Sequence, residues 1–268
     1  MWFIFIFAII FLVYLFLVFP RITNKAAGGR FANRSYAHRG LHDDLIPENS
    51  IESFLKANEH GYGFELDVRL TKDNEVVVFH DDDLVRACGI DKRIDEMMYE
   101  ELKELKIFKT DKKIPLLSDV LKAADTRYPI IVELKTTTSA ESREKLCGLT
   151  EKILNEYSGD YCIESFDPNI VGWFRKNSPK TVRGQLAMSA SSYSGETTRT
   201  IAFLLGNLLT NFISRPDFIA YKWNEKGFSL AVNRLLGATV FNWTVTDAEV
   251  HKNLIKKGES VIFEGYVL

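Results

Sequence analysis

Nine strand-like runs, one of them a hairpin arm, alternate with helical segments along this chain. They predict an α/β fold, a parallel (β/α)8 barrel with a small hairpin insertion, preceded by one amino-terminal transmembrane helix. Three observations carry that expectation. Strand–helix alternation implies a parallel sheet. The chain has 268 residues, 46% hydrophobic and 26% charged. Division by ~150 residues per domain suggests two domains, but α/β barrels of about 250 residues are the standard exception. Lastly, residues 2 to 19 are unbroken apolar sequence ended by Pro20-Arg21.

Residues 1–20 are expected to be a transmembrane anchor. As a helix the run is roughly 27 Å long, close to the thickness of a hydrocarbon core. No charge precedes it, unlike a cleaved signal peptide. Arg21, Lys25, Arg30 and Arg34 follow it, which places the rest of the chain in the cytoplasm by the positive-inside rule and leaves a weaker reading with that domain outside. Residues 21–34, with Ala26-Ala27-Gly28-Gly29, read as a linker, and 35–268 as the barrel.

Strands are expected at Tyr36–His38, Gly63–Leu70, Glu75–His80, Pro129–Leu134, Tyr161–Ser165, Val182–Ala187, Phe218–Tyr221, Val240–Val245 and Ser260–Phe263. Helices are expected at Ser50–His60, Ser118–Ala124, Ser139–Tyr157, Pro168–Lys176 and Asp247–Lys257. Asn49-Ser50 before Ile51 and Glu52 reads as a helix start. Only Lys72-Asp73-Asn74 separates the second run from the third. Parallel neighbours need a crossover of a dozen or more residues, so these two form an antiparallel hairpin and eight strands remain for the barrel. Ile201 to Ile213 reads as one more helix, apolar except for Gly206, Asn207, Thr210 and Asn211. It suits either a helix buried between barrel and loop or one that touches a bilayer or a lipid chain.

The hairpin has a chemical consequence. Glu65, Asp67 and Arg69 alternate and share a face, and folding back at Asp73 brings His80 roughly opposite Glu65. Two carboxylates in an apolar run repel unless a cation or proton intervenes, and hard oxygen ligands suit Mg²⁺ or Ca²⁺. Taken alone, the pair equally suits a solvated strand edge. Glu133-Leu134-Lys135 ends another apolar run, where barrel enzymes keep functional residues. Glu133 would complete the metal site, and Lys135 and Arg39 would meet a phosphate. His38 and His80 both close apolar strands, and imidazole is the side chain suited to proton transfer near neutral pH, so one can accept a proton while the other donates one. His42, His60 and His251 carry no role in this reading.

His38-Arg39-Gly40, Pro47-Glu48-Asn49-Ser50, Glu65-Leu66-Asp67-Val68, Val78-Phe79-His80-Asp81 and Glu133-Leu134-Lys135 together resemble the glycerophosphodiester phosphodiesterases. The resemblance continues in Ile114-Pro115-Leu116, Ser165-Phe166-Asp167 and Trp243-Thr244-Val245, and covers Ser35 to the C-terminus. It implies a TIM barrel that hydrolyses glycerophosphodiesters to glycerol 3-phosphate and an alcohol. By that likeness Glu65, Asp67 and Glu133 bind one divalent cation, and His38 and His80 are acid and base. Arg39 and Lys135 hold the phosphate, Glu48 is a ligand or supports one, and Phe166 and Trp243 line the substrate pocket. Family members often end the last strand with Thr-Asp or Ser-Asp. Glu264-Gly265 stands there instead, which leaves the terminal acid without an assigned role.

The net charge of -2 and pI of about 6.2 exclude the basic footprint of a nucleic-acid partner. Cys88, Cys147 and Cys162 have no spacing of a disulfide framework or zinc site. The expected partners are a small-molecule or lysolipid phosphodiester and, through the amino-terminal helix, a membrane. Two other readings remain: a lysophospholipase D, and a membrane-anchored barrel that binds a phosphodiester without cleaving it.

Overall fold

A computed structural model describes residues 2–22 and 29–268. The strands in chain order are β1 (Ser35–Ala37), β2 (Gly63–Leu70), β3 (Val76–Val78), β4 (Asp83–Leu84), β5 (Ile90–Arg93), β6 (Ile130–Leu134), β7 (Tyr161–Ser165), β8 (Val182–Ala187), β9 (Phe218–Lys222), β10 (Thr239–Val245) and β11 (Ser260–Phe263). Eight of them, β1, β2 and β6 to β11, are parallel neighbours in that order, and β1 closes the ring by pairing with both β2 and β11. The ring is the expected barrel. The hairpin arm is also where the short turn requires it: β3 runs antiparallel to β2, with Val68 level with Val78. Asn74 makes the turn at φ +66°, a conformation Asn tolerates better than most residues.

Alternation sorts the strand side chains into two layers. One set, with Phe64, Leu66, Val68, Ile130, Val132, Leu134 and Ile163, packs against the outer helices. The other fills the barrel: Tyr36, Ile131, Cys162, Val182, Phe218, Phe241 and Ile262. Phe218 stacks on Phe241 at 4.2 Å between ring centres. Its ring occupies the space beside Gly184, where a Cβ would lie 2.1 Å from Phe218 Cε2.

Two expectations about the chain's start need correction. Among the described residues no helix is long and apolar enough to cross a membrane. The first helix, α1, runs Trp2–Val18, 17 residues, or about 25 Å. Its last turns are spent on the protein. Tyr14 Oη lies 2.9 Å from Ser229 Oγ. Val18 is fully buried, and its carbonyl accepts from Asn211 Nδ2 at 2.9 Å. Arg215 donates to the carbonyls of Phe16 and Phe19 at 2.9 and 2.8 Å. The single-pass anchor, the membrane partner and the cytoplasmic placement inferred from it are therefore not supported. Part of the expected linker, residues 23–28, lies outside the described residues. Its described end is no free tether: Phe31 is buried in the barrel, and its carbonyl accepts from Tyr36 Oη at 2.9 Å and Ser260 Oγ at 3.0 Å.

Two elements differ from the sequence expectation. The hairpin insertion is larger than foreseen. It carries the β4–β5 pair and its own apolar cluster of Val77, Phe79, Leu84, Ile94, Leu102 and Ile114. The apolar segment 201–213 is two helices, Arg199–Gly206 and Asn211–Ser214, broken where Leu208 takes φ +55°. Its polar stripe turns inward. Asn211 is fully buried, while Ile201, Phe203, Leu204 and Phe212 are exposed.

Candidate active site

The inward positions at the carboxyl ends of the barrel strands carry most of the candidate residues. Register places them: Asp67 is level with Glu133 across β2–β6, and Glu133 with Glu164 across β6–β7. Three acids thus form a row, with Glu65 one inward step below on β2. Ligand oxygens of Glu65, Asp67 and Glu133 all lie within 4.8 Å of one another, and all three residues are buried. Lys135 Nζ sits among them, 2.8 Å from Glu133 Oε1 and 2.9 Å from Asp67 Oδ1.

The turn after β1 brings Arg39 to the same place. Arg39 takes φ +54° and Gly40 φ +81°, and a Cβ on Gly40 would meet Ser53 Oγ at 2.2 Å. The amide of Arg39 donates to Glu65 Oε2 at 3.0 Å, and its guanidinium donates to Glu48 Oε1 at 2.8 Å and lies 3.4 Å from Asp67 Oδ2. Asn49 Nδ2 donates to Asp67 Oδ2 at 2.8 Å. Ser50 caps the Ile51–Glu59 helix, the start read from the sequence.

Charge in this cluster is unbalanced. Four carboxylates share Lys135 and Arg39, and Arg39 is also paired with Glu48. Burial, then the fields of Asp67, Glu133 and Glu164, push the Glu65 carboxyl well above its usual range. Glu164 is raised by burial and by Glu133 and Asp67. Burial also raises Asp67, but Lys135, His80, Arg39 and the Asn49 amide outweigh it and hold the carboxylate ionised. Burial lowers Lys135, yet Asp67 and Glu133 more than restore its charge. Glu65 Oε1 and Glu164 Oε2 are buried without a hydrogen-bond partner among the described residues. Hard oxygen donors with unspent lone pairs and surplus negative charge fit a divalent cation.

Each candidate imidazole is oriented by a carboxylate. His38 Nδ1 donates to Glu264 Oε2 at 2.6 Å, and His80 Nδ1 to Asp81 Oδ1 at 2.6 Å. With Nδ1–H held this way, Nε2 is the free nitrogen of each ring. The β2–β3 register, continued, sets His80 level with Leu66, one residue from the expected position opposite Glu65. Both imidazoles nevertheless line one cavity of about 110 Å³ together with Arg39, Glu65, Glu133, Lys135, Glu164, Phe166 and Trp243. Phe166 and Trp243 meet edge to face at 5.4 Å. Glu48 lies outside the triad of mutually close acids, tied to Arg39 and Arg86.

Four contributors escaped the sequence reading. Glu264, left without a role, holds His38. Asp81 orients His80, and Arg86 joins Asp81 to Glu48. Glu164 was legible in principle, because alternation from Cys162 to Phe166 points it inward. His42 stands 3.7 Å from Glu264 Oε1.

A family model described as the glycerophosphoryl diester phosphodiesterase family matches residues 38–263. The chain belongs to this family. By that membership it is a glycerophosphodiester phosphodiesterase. The phosphodiesterase is 27% identical over 246 residues, 86% of its own length and 93% of the other, to the putative glycerophosphodiester phosphodiesterase YhdW of Bacillus subtilis. It is also similar to the uncharacterized protein YqiK of that organism, 36% identical over 127 residues, which span 44% of the chain and only 50% of YqiK. Among solved structures, a glycerophosphodiester phosphodiesterase from Thermotoga maritima superposes with a TM-score of 0.64 at 27% identity, covering 85% of this chain and 93% of that one.

Proposed function

We propose that this phosphodiesterase hydrolyses glycerophosphodiesters to glycerol 3-phosphate and an alcohol, with His38 and His80 as the acid–base pair. The observation that carries the reading is the symmetry of the two imidazoles. Each is fixed at Nδ1 by a carboxylate, and both line one cavity with Glu65 and Glu133 of the acid triad. A module that only binds has no use for two oriented proton carriers. The phosphodiesterase from Oleispira antarctica, alike in fold at a TM-score of 0.71 and 20% identity, has been solved with sn-glycerol-3-phosphate, which agrees with glycerol 3-phosphate as the product.

Glu65, Asp67 and Glu133 would hold one Mg²⁺ or Ca²⁺, which when bound would supply Lewis-acid charge to the phosphoryl oxygens. Arg39 and Lys135 hold the phosphate by charge-assisted hydrogen bonds, and Glu48 keeps the Arg39 fork in place. The glycerol hydroxyl next to the phosphoester attacks phosphorus while one imidazole takes its proton at Nε2. The other gives a proton to the departing alcohol oxygen, whose bond to phosphorus breaks. Water then opens the cyclic phosphate with the imidazole roles exchanged.

Replacing His38 or His80 by Ala is expected to lower kcat by roughly 10²–10⁴-fold while the circular dichroism stays that of the native barrel. Near-normal turnover in either variant refutes the assignment. A second reading, a lysophospholipase D, is favoured by the exposed Ile201, Phe203 and Leu204 and by 25% identity over 92% of the chain to a human lysophospholipase D. Turnover of glycerophosphocholine, glycerophosphoethanolamine, glycerophosphoglycerol and lysophosphatidylcholine side by side decides: a clear preference for the last replaces the first reading with the second.

A further inference from the structure

Arg86 lies outside the barrel, in the short Val85–Cys88 helix of the insertion. Its side chain is 45% exposed, so burial does not explain what it does. It nevertheless makes four hydrogen bonds to two carboxylates. Nη1 and Nη2 grip Glu48 at 2.8 and 2.7 Å. Nε and Nη2 grip Asp81 at 2.6 and 3.2 Å. The guanidinium also lies 5.0 Å over the Phe108 ring, which fixes its plane.

Each carboxylate has a second partner, and that partner lines the catalytic cavity. Glu48 holds Arg39 at 2.8 Å. Asp81 holds His80 at 2.6 Å. The chain of contacts therefore runs Arg39–Glu48–Arg86–Asp81–His80, and its two ends come from different parts of the fold, the turn after β1 and the loop after β3. β1 and β3 are each paired to β2 rather than to one another, and Arg86 joins the loops that follow them. Without the Arg86 guanidinium, Glu48 and Asp81 would be two close like charges, which repel.

We propose that Arg86 is a positioning residue for phosphoester cleavage: through Glu48 and Asp81 it sets the Arg39 guanidinium and the His80 imidazole against one bound phosphate. This rests on the function proposed above. A planar fork that meets each of two carboxylates through two N–H bonds is specific to guanidinium; an ammonium can touch two carboxylates, as Lys135 does, but not in that geometry.

The test uses the full chain with its divalent cation. Arg86→Ala is expected to lose between about tenfold and 10²-fold in kcat/KM, since misplacing a catalytic group by about 1 Å costs that much. Free guanidinium, far below denaturing concentration, restores part of the loss, and ammonium at the same concentration restores none. Arg86→Lys, which keeps the stem and the charge, stays well below wild type. The ¹⁵N shifts of the His80 imidazole move in both variants, a readout that needs no turnover. Wild-type turnover in either variant overturns the proposal. So does a loss that guanidinium does not rescue, or a His80 signal unchanged from wild type. A wild type without phosphodiesterase activity would defeat the function reading instead, and the His80 shifts would still decide the role of Arg86.

Discussion

Lys135 is the most consequential single charge in the site. It is buried, and its ammonium contacts both Glu133 and Asp67. Removing one member of a buried ionic cluster strands the others, at a cost of about 3–5 kcal/mol. Lys135→Met is therefore expected to lose stability of that order in denaturant unfolding with chelator present, to regain part of it with a divalent cation, and to raise KM. Equal stability with and without the ammonium would mean that Glu133 and Asp67 do not depend on it for their charge. His251 makes a different residue-scale prediction. It is fully buried, between Ser35 Oγ at 2.8 Å and Tyr266 Oη at 2.9 Å, and burial lowers it to about 4. The unfolded chain then binds the extra proton first. His251 contributes nothing pH-dependent above about 6.5, and stability falls as pH drops from there to about 4, by on the order of 3 kcal/mol. The difference between wild type and His251→Gln, measured by unfolding across that range, should shrink as the pH falls. A constant difference would show that the ring is not held neutral.

At the scale of elements, glycine and turn positions test the barrel. Gly184→Ala places a methyl group into the Phe218 ring, and overpacking of this kind costs about 1–3 kcal/mol, readable as a lower denaturant midpoint. An unchanged midpoint would mean that Phe218 has room to move. Much of this level was legible in the sequence. Period-two alternation and the three-residue turn at Lys72-Asp73-Asn74 were enough to separate β3 from the barrel and to put Glu65 and Asp67 on one face. Glu133 and Lys135 followed from their place at a strand end. What escaped was set by contacts distant in sequence. Arg86 meets Glu48 across 38 residues, and Glu264 meets His38 across 226. No local pattern encodes either. Leu208 misled for the opposite reason: the run around it is helical in composition, but its backbone is turned by packing against the barrel.

At the scale of the whole molecule, the amino-terminal helix is a reminder that composition does not decide what a helix touches. Residues 2 to 19 have the composition of a membrane span, yet Tyr14, Phe16, Val18 and Phe19 are fastened to the barrel's outer layer through Ser229, Asn211 and Arg215. The barrel itself gathers acids from three strands, two imidazoles from loops on either side and one lysine at a single mouth. The measurement that tests this most directly is a calorimetric titration of Mg²⁺, and separately Ca²⁺, into the chelator-stripped chain and its Glu133→Gln variant. One ion per wild-type chain is expected for at least one of the two metals, with loss of that binding in the variant. No heat of binding in the wild type, or an unaltered isotherm in Glu133→Gln, would contradict a cation held by this acid triad.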